Sequence, residues 1–172
     1  MAKVSQRQIQ ATISPVNSLP VTTGTGSTAV TIPADPTFKV GSESFIFPQI
    51  SGGEITASVE KIYEGGKRSP TILCAPFEIG DITLTAHYDE RGDDSTMAKT
   101  LQTMRTLVGK AYYNIAVQTY DCDIVVKGTD RYYNKSLLVG LTEPDGDSSS
   151  GAPATFALTF AVQTVSTSTS TA

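Results

Sequence analysis

From Glu54 onward, apolar and polar positions alternate with a period of two. Ile55, Ala57 and Val59 alternate with Thr56, Ser58 and Glu60. Ile82, Leu84, Ala86 and Tyr88 alternate with Thr83, Thr85 and His87. Phe156, Leu158, Phe160 and Val162 alternate with Thr155, Thr159 and Gln163. Successive side chains of a strand point to opposite faces, so each set predicts a strand with its larger apolar residues on one face and mostly hydroxyls on the other. Thr- and Val-rich runs add strands at 112–119, 123–127 and 136–142, because branched side chains fit a pleated, half-buried surface.

One segment keeps a different period. Over 94–108 the apolar residues are Met97, Leu101, Met104 and Leu107 or Val108, a helical stripe. Asp93, Asp94 and Ser95 offer N-cap oxygens, with acidic charge at the end that the helix dipole favours. Gly109 supplies the C′ position and Lys110 follows it. A helix of this kind among strands lays its stripe on the sheet or plugs the end of a barrel.

The first forty-five residues read differently. Small polar runs such as Val21-Thr22-Thr23-Gly24-Thr25-Gly26-Ser27-Thr28 are interrupted by Pro15, Pro20, Pro33 and Pro36, with Pro48 just beyond. Proline cannot donate to a ladder and biases its predecessor toward extended backbone. Residues 1–45 are therefore expected to form an extended or disordered arm with one short strand at 29–32 and little core of its own. Residues 46–165 form a single β-rich domain, and 166–172 a flexible Ser/Thr-rich tail. Two polar loops stand out: Glu64-Gly65-Gly66-Lys67-Arg68-Ser69-Pro70, longer than a tight hairpin needs, and 143–151 before the last strand. The fold class expected is mainly β, a β-sandwich or small barrel with one flanking helix and an extended N-terminal arm.

Composition narrows the function. The chain has 172 residues, 39% of them apolar and 17% charged, against a usual charged share of about 25%. Ser, Thr and Gly fill the deficit, as in β-rich proteins with many turns. A net charge of −4 argues against strong nonspecific attraction to phosphate, which depends on Lys and Arg displacing counterions. No apolar run reaches the roughly 20 residues needed to span a bilayer. Met1-Ala2-Lys3-Val4-Ser5-Gln6-Arg7-Gln8 leads into no apolar h-region, so a soluble protein made in a cytoplasm, without a signal peptide or membrane anchoring, is expected.

Candidate chemistry is sparse. Gly24-Thr25-Gly26-Ser27-Thr28-Ala29 fits a dinucleotide fingerprint in letters, but Pro20 precedes it and Val30-Thr31-Ile32-Pro33 follows, where a site needs a strand and then a helix. His87 is the only histidine, with Asp89 and Glu90 near it in sequence but no placed nucleophile. The acidic clusters at 89–94, 121–123 and 145–147 lack the spacing of a calcium loop. Cys74 and Cys122 permit one disulfide, and two buried thiols is the simpler reading. Tyr112, Tyr113, Tyr120, Tyr132 and Tyr133 offer either a stacking platform or ordinary packing on alternate strand positions. Neither an enzyme nor a bound cofactor or metal is expected.

The order of elements, with Ile55-Thr56-Ala57-Ser58-Val59-Glu60-Lys61-Ile62-Tyr63-Glu64-Gly65-Gly66 and Gly80-Asp81-Ile82-Thr83-Leu84-Thr85, resembles the tail tube (major tail) proteins of long-tailed bacteriophages over roughly residues 40–165. The resemblance is one of pattern, without a fixed motif. It implies a virion protein assembled in the host bacterial cytoplasm. Six copies would close into a homohexameric ring, and rings would stack into a hollow tube that passes DNA without specific binding. It also implies contacts with a tape-measure protein and tail-end proteins. The loop from Glu64 to Pro70 would reach the neighbouring ring, the arm would reach an adjacent subunit, and Thr83, Thr85 and His87 would line the lumen among acidic and hydroxyl groups that repel phosphate. Two other readings fit the same pattern: a monomeric β-sandwich binding module, as in virion decoration or host-surface binding, and a tail-end or neck ring that forms no tube.

Overall fold

The alternation along the central strands fixes which side of the sheet is dry, and the rest of the chain is arranged against that side. The computed structural model describes residues 7–17, 19, 21–23, 30–32, 34–37, 39–40, 43–88, 96–121, 124–126, 128–145 and 153–166. In chain order the strands are β1 (Arg7–Pro15), β2 (Val21–Thr23), β3 (Val30–Ile32), β4 (Lys39–Val40), β5 (Glu43–Ser44), β6 (Gln49–Gly52), β7 (Ile55–Ala57), β8 (Lys61–Ile62), β9 (Thr71–Ile72), β10 (Phe77–Ile79) and β11 (Ile82–His87). Helix α1 (Thr96–Leu107) follows, then β12 (Tyr112–Asp121), β13 (Ile124–Val125), β14 (Arg131–Asp145), β15 (Thr155–Ala161) and β16 (Thr164–Ser166).

Eight strands form one antiparallel sheet in the order β1-β12-β14-β15-β11-β6, with β13 beside β12 and β16 beside β14. The sheet curls into a half-barrel. Its two ends meet at one point, where Ala11 and Phe47 exchange backbone bonds of 3.1 and 2.8 Å. A curled sheet faces itself, so one side becomes the core: Ile82, Leu84 and Ala86 lie opposite Phe160, Leu158 and Phe156 across the β11–β15 pair. Ile115, Val117, Tyr133 and Leu138 continue the buried layer. Phe47 sits against Phe156 with ring centroids 5.9 Å apart, and Tyr113 against Phe160 at the same separation, both edge-on as aromatic quadrupoles prefer.

Helix α1 buries Leu101 and Met104 in this core, with Met97, Leu107 and Val108 packed at its margin. Gly109 follows with φ of +79°, and its N–H donates to Leu138 O at 2.7 Å, tying the helix end to β14. The N-cap candidates Asp94 and Ser95 lie outside the described residues.

Several sequence expectations change. Residues 7–15 form the nine-residue strand β1, paired with β12 along its whole length, and Ala11 and Ile13 are buried. This part of the expected arm is thus a wall of the barrel, because Ile9, Ala11 and Ile13 alternate with Gln8, Gln10, Thr12 and Ser14. The short strand expected at 29–32 is β3, paired with β2. Residues 143–145, expected in a loop, extend β14. Within β14 a bulge sits at Lys135, a non-glycine residue at φ +50°, whose N–H donates to Asn114 Oδ1 at 3.1 Å.

Asp35 is tied to the chain just past this wall, its N–H donating to Asn17 O at 3.0 Å. The Tyr113 hydroxyl donates to Pro36 O at 3.2 Å, and Asp35 Oδ2 is buried without a hydrogen-bond partner among the described residues. Burial pushes the Asp35 carboxyl above its ordinary value of 3.8, and burial together with the Asp35 charge pushes the Tyr113 phenol upward. An acid whose pKa is raised by folding stabilises the folded state below its unfolded pKa and loses that contribution as pH rises through the folded value. Asp35→Asn removes the loss. Urea denaturation from acid pH to neutrality should therefore show the variant gaining on the parent as pH rises above about 4, the ordinary carboxylate range. A stability difference independent of pH would contradict this account.

Candidate assembly surfaces

The β6–β11 pair does not end at the barrel rim. Its register, Gly52 opposite Ile82, passes into Ile55 opposite Ile79 in the β7–β10 pair, and then into β8–β9. The transition needs glycine. Gly52 and Gly53 have φ of +85° and +73°, and a Cβ on Gly52 would sit 2.0 Å from Asp81 O. Around the kink Gly53 N–H donates to Asp81 O (3.1 Å) and Gly80 N–H to Glu54 O (2.8 Å). Further out, Leu73 N–H donates to Glu60 O (3.0 Å). Residues 54–80 are thus one long hairpin projecting from the barrel.

Its side chains face solvent. Ile55 is 58% exposed, Tyr63 71%, Ile72 58% and Phe77 65%, and Val59, Ile62 and Leu73 are exposed as well. The strand expected from the alternation of Ile55, Ala57 and Val59 is shorter than its pattern, ending at Ala57, and among the described residues no layer covers its apolar side. At the tip lie Glu64, Gly65, Gly66 (φ +88°), Lys67, Arg68, Ser69 and Pro70. The Lys67 ammonium donates to the Glu64 carboxylate, and Lys67 N–H to Glu64 O at 3.2 Å. A two-stranded hairpin is marginal alone in water, and a run of exposed apolar residues on one marks a candidate interaction surface.

The second surface is the outer face of the curled sheet. Thr83, Thr85 and His87 share it on β11, flanked by Thr155, Ala157 and Thr159 on β15, with Thr83 and Thr159 hydroxyls 3.3 Å apart. Gln49 and Ser51 continue it on β6, Gly140 and Thr142 on β14, Asn114, Ala116 and Gln118 on β12, and Gln10, Thr12 and Ser14 on β1. None of these positions holds Asp, Glu, Lys or Arg. This part of the face is made mainly of hydroxyls, amides and small side chains; Asp145 of β14 borders it by its pairing with Thr155, and Tyr112 of β12 lies on the same side.

The remaining candidates separate. Tyr113 and Tyr133 are buried, and Tyr112 is exposed on the other side of the same sheet, so alternation splits the tyrosines between faces. Cys74 is an exposed free thiol on the hairpin, in place of the buried thiol expected, and Cys122 lies outside the described residues, as do Gly24 to Ala29. Among the described residues no three His, Cys, Asp or Glu side chains converge as metal ligands, and no helix is long and apolar enough to cross a membrane. Sequence reasoning missed the apolar exposure of the hairpin. The Gly52-Gly53 and Gly80-Asp81 pairs bracketing it were the available signal.

No protein-family model matches the sequence, and no curated protein matches it either. Solved structures do share the fold. A chain in the cryo-EM structure of the anti-feeding prophage (AFP) baseplate, 6-fold symmetrised, aligns with a TM-score of 0.61 at 15% identity, over 96% of this chain and 95% of that one. A chain of the PVC sheath–tube complex of an extracellular contractile injection system, in the extended state, aligns at 0.58 and 12% identity over 92% and 86%. A chain of the anti-feeding prophage tube-terminating cap aligns at 0.54 and 18% over 83% and 97%.

If the hairpin is independent of the core, changing its apolar residues leaves folding intact. Ile55→Thr and Phe77→Thr should each shift the free energy of unfolding by no more than about 0.5 kcal/mol in urea denaturation. Leu158→Ala, in the buried layer, should lower it by about 2–5 kcal/mol. A loss from Phe77→Thr as large as that from Leu158→Ala would show the hairpin packing on its own barrel.

Proposed function

We propose that this chain is a non-enzymatic structural subunit of a phage-tail-like particle, and that its copies close into rings that stack as a hollow tube. The observation that carries the reading is the projecting hairpin with its uncovered apolar side chains, on a fold shared with chains of tube, cap and baseplate assemblies. A monomer gains nothing from such an extension, whereas a subunit of a stack uses it to hold the next ring. The 6-fold symmetry named for the baseplate neighbour supports six copies per ring.

On this reading the convex sheet face, with Thr83, Thr85 and His87, lines the lumen. The named positions of that wall carry no Lys or Arg to hold phosphate, so DNA slides past without specific binding. A tape-measure protein and tail-end proteins are the expected partners inside and at the ends of the tube. The cap neighbour favours a second reading, in which one ring closes the tube and no further ring stacks on it.

Negative-stain electron microscopy of the purified chain, with light scattering on the same sample, tests both readings. Hollow tubes are expected, and single rings without stacking would support the terminator reading. Monodisperse 18.2 kDa monomers across a wide range of concentration and salt would overturn both. Replacing Gly65-Gly66-Lys67-Arg68 by a two-residue turn should leave rings and abolish tubes. Tubes of normal length from that variant would remove the hairpin tip from stacking.

A further inference from the structure

The hairpin and an unfilled cleft lie at opposite ends of the same strands. The hairpin leaves the barrel where Gly52 meets Ile82 and Ile82 meets Phe160. At the other end of β11 and β15, His87 pairs with Thr155, Tyr88 N–H donates to Ala154 O at 2.8 Å, and Asp145 pairs with Thr155 from β14. The cleft opens at that second end, between α1 and the end of β14, about 20 Å of strand away. It has a volume of about 290 Å³.

Its chemistry has two parts. Tyr88, Ala98, Leu101 and Pro144 give an apolar interior, with Leu101 buried and the others half-buried. At the rim Arg105 Nη1 donates to Glu143 Oε1 at 3.0 Å, with side chains 70% and 56% exposed. The hairpin tip carries the counterparts. Tyr63 presents an exposed ring, and among the described residues Arg68 has no ion-pair partner and Glu143 is bonded through one oxygen only.

We infer that this cleft receives the hairpin tip of a second copy stacked head to tail. Tyr63 enters against Leu101 and Tyr88, and the Arg68 guanidinium takes the free side of Glu143. A chain cannot fill its own cleft, because its hairpin starts at the other end and runs away from it. A contact between two different surfaces of identical chains repeats without closing when copies are related by translation, which is the symmetry a stack of rings needs. The inference rests on the tube reading and adds the receiving site.

The test places one cysteine at each end of one chain: Tyr63→Cys with Gln102→Cys, in a background carrying Cys74→Ser and Cys122→Ser. Mild oxidation of assembled protein should give a ladder of covalent multimers on a non-reducing gel, and either cysteine alone only monomers and dimers. In parallel, Ala98→Arg, which fills the cleft, should shorten tubes to single rings at unchanged circular dichroism. Glu143→Arg should weaken stacking, and Glu143→Arg with Arg68→Glu should restore it. Tubes with no ladder, or tubes of normal length from Ala98→Arg, would overturn the cleft while leaving the tube reading in place. Absence of any particle from the parent chain by electron microscopy would overturn both.

Discussion

The structure depends on one sheet burying its own concave side. Because side chains of a strand alternate between faces, curling an eight-stranded antiparallel sheet turns every second residue inward, and Leu84, Leu158 and Ile115 meet without a second sheet. Only the open mouth needs covering, and one amphipathic helix suffices, with Leu101 and Met104 entering the core. The same geometry fixes the opposite face. Whatever occupies the positions between the core residues must lie on a continuous convex surface, and here most of those positions are Thr, Gln, Ser, Asn and Ala across six strands. Core and convex face are two readings of one alternation, so a one-residue slip of register would destroy both.

The parts of the fold legible in the sequence are those in which pattern and burial coincide. β11 and β15 are flanked on both edges by other strands, and their apolar sets point inward as the period of two requires. The stripe Met97, Leu101, Met104 and Leu107 similarly named the helix and its inner face. Where pattern and burial part, the reading fails in either direction. Ile55 and Val59 alternate with polar residues but lie on a ribbon outside the barrel, where no layer exists to bury them. Residues 7–15 carry a weak alternation of Ile and Ala with Gln, Thr and Ser, next to a Pro-rich stretch, yet they close the barrel because β12 offers them a full-length edge. Local pattern reports the shape of a side-chain set, and tertiary context decides which side of it is dry.

The candidate surfaces were legible to a lesser degree. The Gly65-Gly66 turn and the charged residues after it marked a loop, and the structure adds that this loop ends a long two-stranded shaft, residues 54–63 on one side and 71–80 on the other. Glycine does two different jobs along it. At Gly66 a positive φ makes the turn, whereas at Gly52 the absent Cβ lets the backbone pass against Asp81 O. Nothing in the letters of a sequence separates these, since both appear as glycine between polar residues.

A hairpin that exposes Ile, Tyr and Phe is costly for a free chain and weak for a pair of chains. Burying one such side chain contributes roughly 1.5–3 kcal/mol, while bringing two molecules together costs an estimated 4–15 kcal/mol in lost translation and rotation. One tip in one cleft therefore leaves two subunits mostly apart. In the proposed ring the arithmetic changes, because every tip would dock for a single loss of rigid-body freedom, and the contacts after the first would be effectively intramolecular. In the assembly proposed above, stacking would follow ring closure rather than precede it, and the exposed apolar shaft would be tolerable because each contact is too weak to drive disordered aggregation.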